Sequence, residues 1–341
     1  MWRLRTLASS AALLMLALLL VLGGGHAYHA HQQARRHEAL GLPGRWVPVA
    51  GHALYLHCQG TGGPTVLLES GAAAFAATWD RVMRPLSAQL RVCAYDRAGL
   101  GWSPASRAPV EPGAAARDLR EALAAAGEHP PYVVVGHSLG ALFAILFAEA
   151  RPADVHALVL LDPAHPDMLD VLPALAASYD AMLRRLQLGA WLVQSGVPDA
   201  FDIQRPLIES FPPAAQQQAA YLVNDPGHLR SARAELLAWP AIAGAVRAAR
   251  RFRSLPILVV SPDDPLDMAD GASLRAALTH LQASYVTGIA PSAHLVLPGA
   301  GHDSMLLDER RAQVLSDRIG TFIRQVPAPK ARHPGMPTPA D

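Results

Sequence analysis

An excess of positive or negative charge is missing from this chain. Its 341 residues carry 29 Lys and Arg against 28 Asp and Glu, a net charge of +1. No basic stripe with interleaved aromatics occurs, so nothing points to a nucleic-acid partner. Cysteine is scarce: Cys58 and Cys93 are the only two, so at most one internal disulfide is possible. A metal-ligand set is missing as well. His26, His29, His31 and His37 crowd one segment, but no Cys or carboxylate sits beside them at ligand spacing. A solvated linker is the simpler reading of that segment. The loop Asp96-Arg97-Ala98-Gly99-Leu100-Gly101-Trp102-Ser103-Pro104 has two glycines after an apolar run but lacks the third of the dinucleotide fingerprint. An Asp96–Arg97 turn or ion pair shaping a cleft is expected there. No metal and no cofactor is expected.

What the chain does have is Gly136-His137-Ser138-Leu139-Gly140. Apolar Tyr132 to Val135 leads in, and the helix-forming run Ala141 to Ala150 leads out. That is a G-x-S-x-G nucleophile elbow in its strand–turn–helix setting. The glycines allow a tight turn that lifts the serine hydroxyl off a strand end.

Around the elbow, strands are expected at 46–49, 53–58, 65–69, 91–95, 155–161, 256–261 and 293–297. Helices alternate with most of them, at 79–90, 111–126, 269–281 and 306–324. Such alternation predicts an α/β fold, a mostly parallel sheet with helices on both faces, opened by an antiparallel pair. From about 164 to 252 the alternation stops and only helical stretches occur. An insert of that length is too long for an ordinary loop. The Pro-rich tail over 326–341 reads as disordered.

A serine hydroxyl needs a base, and the base needs an orienting acid. With an elbow, these follow in the order Ser, acid, His. His302, in Pro298-Gly299-Ala300-Gly301-His302-Asp303, comes directly after the last strand and is the expected base. His294 lies at the wrong end of that strand. For the acid, Asp264 stands three residues past Ser261, the small residue ending its strand, and is favoured. Asp263 and Asp162 are alternatives. Oxyanion donors are expected from the backbone N–H groups of Leu139 and Ala72, the latter in the small-residue loop Ser70-Gly71-Ala72-Ala73-Ala74.

These residues together resemble the serine hydrolases of the α/β-hydrolase fold, the esterase- and lipase-like group, over roughly Gly44 to Gln325. The resemblance implies eight strands in the order 1-2-4-3-5-6-7-8 and a helical cap after the sixth, at about 164–252. It makes the strands of Cys58 and Cys93 neighbours, so a disulfide and a pair of small buried side chains both stay open. Many relatives carry His-Gly at the oxyanion loop, whereas Ser70-Gly71 stands here. A serine at the elbow disfavours the dehalogenases and epoxide hydrolases of this fold, which use aspartate. The implied activity is cleavage of a carboxylic ester through an acyl-enzyme, with acyl transfer, thioester or amide cleavage as alternatives on the same residues. A non-catalytic, ligand-binding use of the fold is a further alternative. Met168, Leu172, Trp191, Phe201 and Trp239 suggest an apolar substrate pocket, or simply cap packing.

The N-terminus pairs two arginines, Arg3 and Arg5, with an apolar stretch from Leu7 to Leu22 and then Gly25-His26-Ala27. Residues 1–27 are expected to be a cleaved signal or an uncleaved membrane anchor, which puts the rest outside the cytoplasm, with 28–43 as linker.

Overall fold

The computed structural model describes residues 2–327. The expected disordered tail therefore lies outside the described residues beyond Pro327, as do the side chains at 7–14 and 17–20 of the apolar stretch. In chain order the elements are α1 (Trp2–Glu38), β1 (Arg45–Val49), β2 (His52–Gln59), β3 (Thr65–Glu69), α2 (Asp80–Ser87), β4 (Val92–Tyr95), α3 (Ala114–Ala126), β5 (Tyr132–His137), α4 (Leu139–Ala150) and β6 (Val155–Leu161). The helical insert follows as α5 (Met168–Val171), α6 (Pro173–Gln194), α7 (Val197–Ala200), α8 (Arg205–Ser210), α9 (Pro213–Leu222), α10 (Pro226–Leu237) and α11 (Trp239–Ala248). The chain then runs through β7 (Ile257–Pro262), α12 (Gly271–Ala283), β8 (Ala293–Leu297), α13 (Ser304–Leu307) and α14 (Glu309–Gln325).

The eight strands form one sheet in the order β1-β2-β4-β3-β5-β6-β7-β8. β2 runs antiparallel to β1 and β4, and every other pairing is parallel. The central strands are buried on both faces, so they read as unbroken Val and Leu runs rather than alternating ones. Their period of two still sorts the core into two layers. Tyr132 and Val134 of β5 pack on one face with Leu158, Leu160 and the helix α4. Val133 and Val135 point to the other face, among Val159, Leu315 and Ile319. Cys58 and Cys93 are directly opposed across β2 and β4 and form a disulfide, with Cα atoms 4.0 Å apart.

The segment expected as a linker differs from expectation. α1 is helical through Glu38, and its last turns dock on the insert. His29 Nδ1 lies 2.7 Å and Arg36 Nη1 2.6 Å from the two carboxylate oxygens of Asp199, and Gln33 donates to the Tyr221 carbonyl at 3.1 Å. The helix meets the insert closely at Gly25, where a Cβ would stand 2.0 Å from the Ser195 carbonyl oxygen. Among the described residues, no helix is long and apolar enough to cross a membrane.

Candidate active site

β5 ends at His137, and the chain turns at once into α4. Ser138 makes that turn at φ 56° and ψ −125°, a left-handed conformation for a residue with a side chain. Such a conformation costs on the order of 1–3 kcal/mol and persists only where its surroundings impose it. Here the Ser138 amide donates to Leu161 of β6 at 3.0 Å, and its carbonyl accepts from Ala164 at 3.0 Å. Glycine is required on either side. A Cβ on Gly136 would stand 2.6 Å from Ala141 Cα, and one on Gly140 would stand 2.4 Å from the carbonyl oxygens of both Glu69 and Ser70. Ser138 is left half-buried, between a buried strand and a buried helix. Leu139 is the first residue of α4, so its amide has no acceptor within the helix.

The loop after β3 passes beside this serine. A Cβ on Gly71 would lie 3.2 Å from Ser138 Cβ. Ser70 accepts from Trp79 Nε1 at 3.0 Å. Ala72 follows, half-buried, and Ala73 adopts φ 56°.

His302 lies in the loop between β8 and α13, half-buried. Its Nδ1–H donates to Asp162 Oδ2 at 2.6 Å. Asp162 directly follows β6 at φ 37°, with its side chain almost fully buried. Its other oxygen, Oδ1, accepts from Arg275 Nη1 at 2.8 Å and from Gln282 Nε2 at 2.7 Å. Behind His302, His137 Nε2 lies 3.0 Å from the His302 carbonyl oxygen.

The family model described as "Alpha/beta hydrolase family" matches residues 66–317. The chain belongs to the alpha/beta hydrolase family. The uncharacterized protein YqjL of Bacillus subtilis (strain 168) is 37% identical over 111 residues, 33% of this chain and 44% of that protein. This hydrolase-family chain thus aligns with under half the length of that relative. Among solved structures, an esterase from Thermogutta terrifontis superposes with a TM-score of 0.58 at 19% identity, over 84% of this chain and 99% of that one. The epoxide hydrolase CorEH gives a TM-score of 0.56 at 18% identity, over 82% and 98%. At these identities both likenesses concern the fold.

Within this hydrolase-family fold, Asp264 is not the residue that meets His302, and the expectation that it would is corrected. The loop after β7 instead braces the histidine loop from the side. The Asp264 amide donates to the Ala300 carbonyl at 3.0 Å, its own carbonyl accepts from Arg275, and exposed Asp263 accepts from the Gly299 amide at 2.6 Å. Asp162 occupies the position because its positive φ turns the carboxylate from the end of β6 toward His302. His294 faces elsewhere, its Nε2 lying 2.9 Å from Ser261 Oγ. Arg275 and Gln282 were invisible as site residues. They are buried polar side chains seven apart on α12, hence on one helical face, and that pairing was the available signal.

Of the apolar insert residues, Trp191 and Phe201 stand on the outer surface, 77% and 76% exposed. Trp239 is buried against Tyr179, with ring centroids 5.7 Å apart. These three pack the insert or face solvent, which corrects the apolar-pocket reading for them.

Burial and charge act in opposite directions on this pair. Burial alone would lower the pKa of His302, but the hydrogen bond and charge of Asp162 outweigh it and the net shift is upward. For Asp162, burial raises the pKa, and the His302 hydrogen bond, the charges of His302 and Arg275 and the Gln282 amide together bring it well below the usual carboxylate range. His137 is pushed down to about 4 by burial and by the neighbouring His302 charge, so it stays neutral.

Proposed function

We propose that this chain is a serine hydrolase that cleaves carboxylic esters, with Ser138 as nucleophile, His302 as general base and acid, and Asp162 as the orienting acid. The observation that carries the reading is the His302–Asp162 hydrogen bond of 2.6 Å, with the His302 ring 4.5 Å from that of His137, the residue before a serine held in the left-handed elbow conformation. Serine rather than aspartate at the elbow favours acyl chemistry over epoxide opening.

In the proposed reaction, Ser138 Oγ adds to the ester carbonyl while His302 Nε2 takes the hydroxyl proton. Negative charge develops on the carbonyl oxygen, within reach of the Leu139 and Ala72 amides. Losing one such donor typically costs about 3 kcal/mol of transition-state stabilisation. The C–O bond to the alcohol then breaks, and His302 delivers its proton to the leaving oxygen. Water, deprotonated by His302, adds to the acyl-serine, and the acid departs with Ser138 reprotonated. Asp162 holds the imidazole with Nδ1 protonated, so that Nε2 is the free base.

The test is an ester panel of varied acyl length, run with and without a competing alcohol. Free acid as the sole product supports hydrolysis. An alkyl ester of the added alcohol as the main product would make the chain an acyltransferase. Turnover of thioesters or amides with no ester cleavage would overturn the ester assignment.

We also propose that residues 1–27 direct the chain out of the cytoplasm, as a signal or an anchor. The paired arginines, the apolar stretch and a disulfide support this. Cell fractionation of the tagged full chain tests it, and recovery from the cytoplasm with reduced Cys58 and Cys93 would refute it.

A further inference from the structure

One helix of the insert reaches back into the site through two buried polar side chains. His228 and Glu235 lie seven residues apart on α10, so they share a face. Glu235 forms a bidentate pair with Arg97, at 2.7 Å from Nε and 2.8 Å from Nη2. The same guanidinium meets Glu69 at 2.6 Å and donates to the carbonyl oxygens of Ser70 at 2.6 Å and Gly71 at 3.1 Å. His228 Nε2 lies 3.0 Å from the Ala73 carbonyl, and its Nδ1 accepts from the Gly101 amide at 3.0 Å. Three carbonyls of the loop after β3, those of Ser70, Gly71 and Ala73, are therefore gripped, on either side of Ala72.

The grip has a direction. In a trans peptide the C=O of one residue and the N–H of the next point opposite ways. Holding the Gly71 carbonyl on Arg97 therefore aims the Ala72 N–H away from Arg97. Neither the left-handed Ala73 nor a run of small side chains would fix that plane unaided. Arg97 keeps its charge because the two carboxylates outweigh the cost of burial.

We infer that Arg97, Glu235 and His228 are positioning residues that set the Ala72 amide for the developing oxyanion, so that the seating of α10 controls the competence of the hole. The inference rests on the ester-hydrolase reading above. The residues touch no reacting atom and act through the loop 70–73. Displacing α10 would loosen that loop while leaving the His302–Asp162 hydrogen bond, made by other elements, in place.

The test uses the full chain with a p-nitrophenyl ester and a trifluoromethyl ketone, whose adduct with a serine carries an oxyanion. Glu235→Ala and His228→Ala should each lower kcat about 10-fold or more, with KM within about twofold. Ketone affinity should fall by a matching factor, and Glu235→Gln, which keeps an acceptor for Arg97, should recover most of the loss. Thermal melts identify any variant that fails to fold, and the other variant then decides. Unchanged kcat and ketone affinity in a folded variant would overturn the inference, as would a change in KM alone. If the wild-type chain turned over no ester, the functional reading itself would fail, a result distinct from these.

Discussion

His302 Nδ1 and Asp162 Oδ2 stand 2.6 Å apart, one half-exposed at a loop, the other almost wholly buried at the end of β6. Arg275 and Gln282 hold the second oxygen of Asp162, so the carboxylate cannot rotate away from the ring without losing both. The pair therefore fixes which histidine nitrogen bears the proton.

Asp162→Asn should lower kcat by about 10³- to 10⁴-fold, because the amide favours the wrong imidazole tautomer. Asp264→Asn should cost less than about 10-fold, since that residue braces the loop through its backbone. Steady-state kinetics on both variants checks the assignment. The reverse order would return the acid role to Asp264.

Acid inhibition should reflect His302. In the proposed reaction the ring must be neutral to accept the serine proton, and its pKa is raised by Asp162 despite burial. The acid limb of kcat/KM should therefore have its midpoint above 6.5, the ordinary histidine value. In Asp162→Asn the midpoint should move to lower pH. A pH–rate profile of both proteins measures this.

The same pair contributes to stability in a defined window. The raised His302 pKa gives stability that is complete below about 6.5 and fades as pH rises through its folded value. The lowered Asp162 pKa gives stability that is complete above about 3.8 and fades as pH falls through its folded value. The Tm penalty of Asp162→Asn should accordingly be larger at pH 5 than at pH 9. Thermal melts at the two pH values compare them.

Gly140→Ala should disable the elbow. The new methyl would stand 2.4 Å from two carbonyl oxygens of the loop after β3. That loop must shift, at about 1–3 kcal/mol for the overpacking. A lower Tm together with loss of ester turnover is expected. Gly244→Ala, where nothing lies within 4 Å, is the control and should leave both unchanged.

The sheet was legible because its central strands are short, mostly apolar runs closed by turns and buried on both faces. Ser138 was legible because a G-x-S-x-G turn needs its glycines where Gly136 and Gly140 stand. His302 followed from its place after the last strand. The carboxylate that meets His302 was not legible. Asp162 and Asp264 both follow strands that end in the same sheet edge, and local sequence does not record that Asp162 adopts a positive φ. Nor does it record that Arg275 and Gln282, over 110 residues away, complete the shell around it. The docking of α1 was hidden for the same reason, since Asp199 lies 170 residues from His29.

The most direct measurement is to locate the covalent adduct. The full chain is treated with a fluorophosphonate, digested, and mapped by mass spectrometry while ester turnover is followed in parallel. Modification of Ser138 in step with loss of turnover is expected, with neither labelling nor turnover in Ser138→Ala. Full ester turnover by Ser138→Ala, or an inactivating adduct on any other residue, would contradict the account.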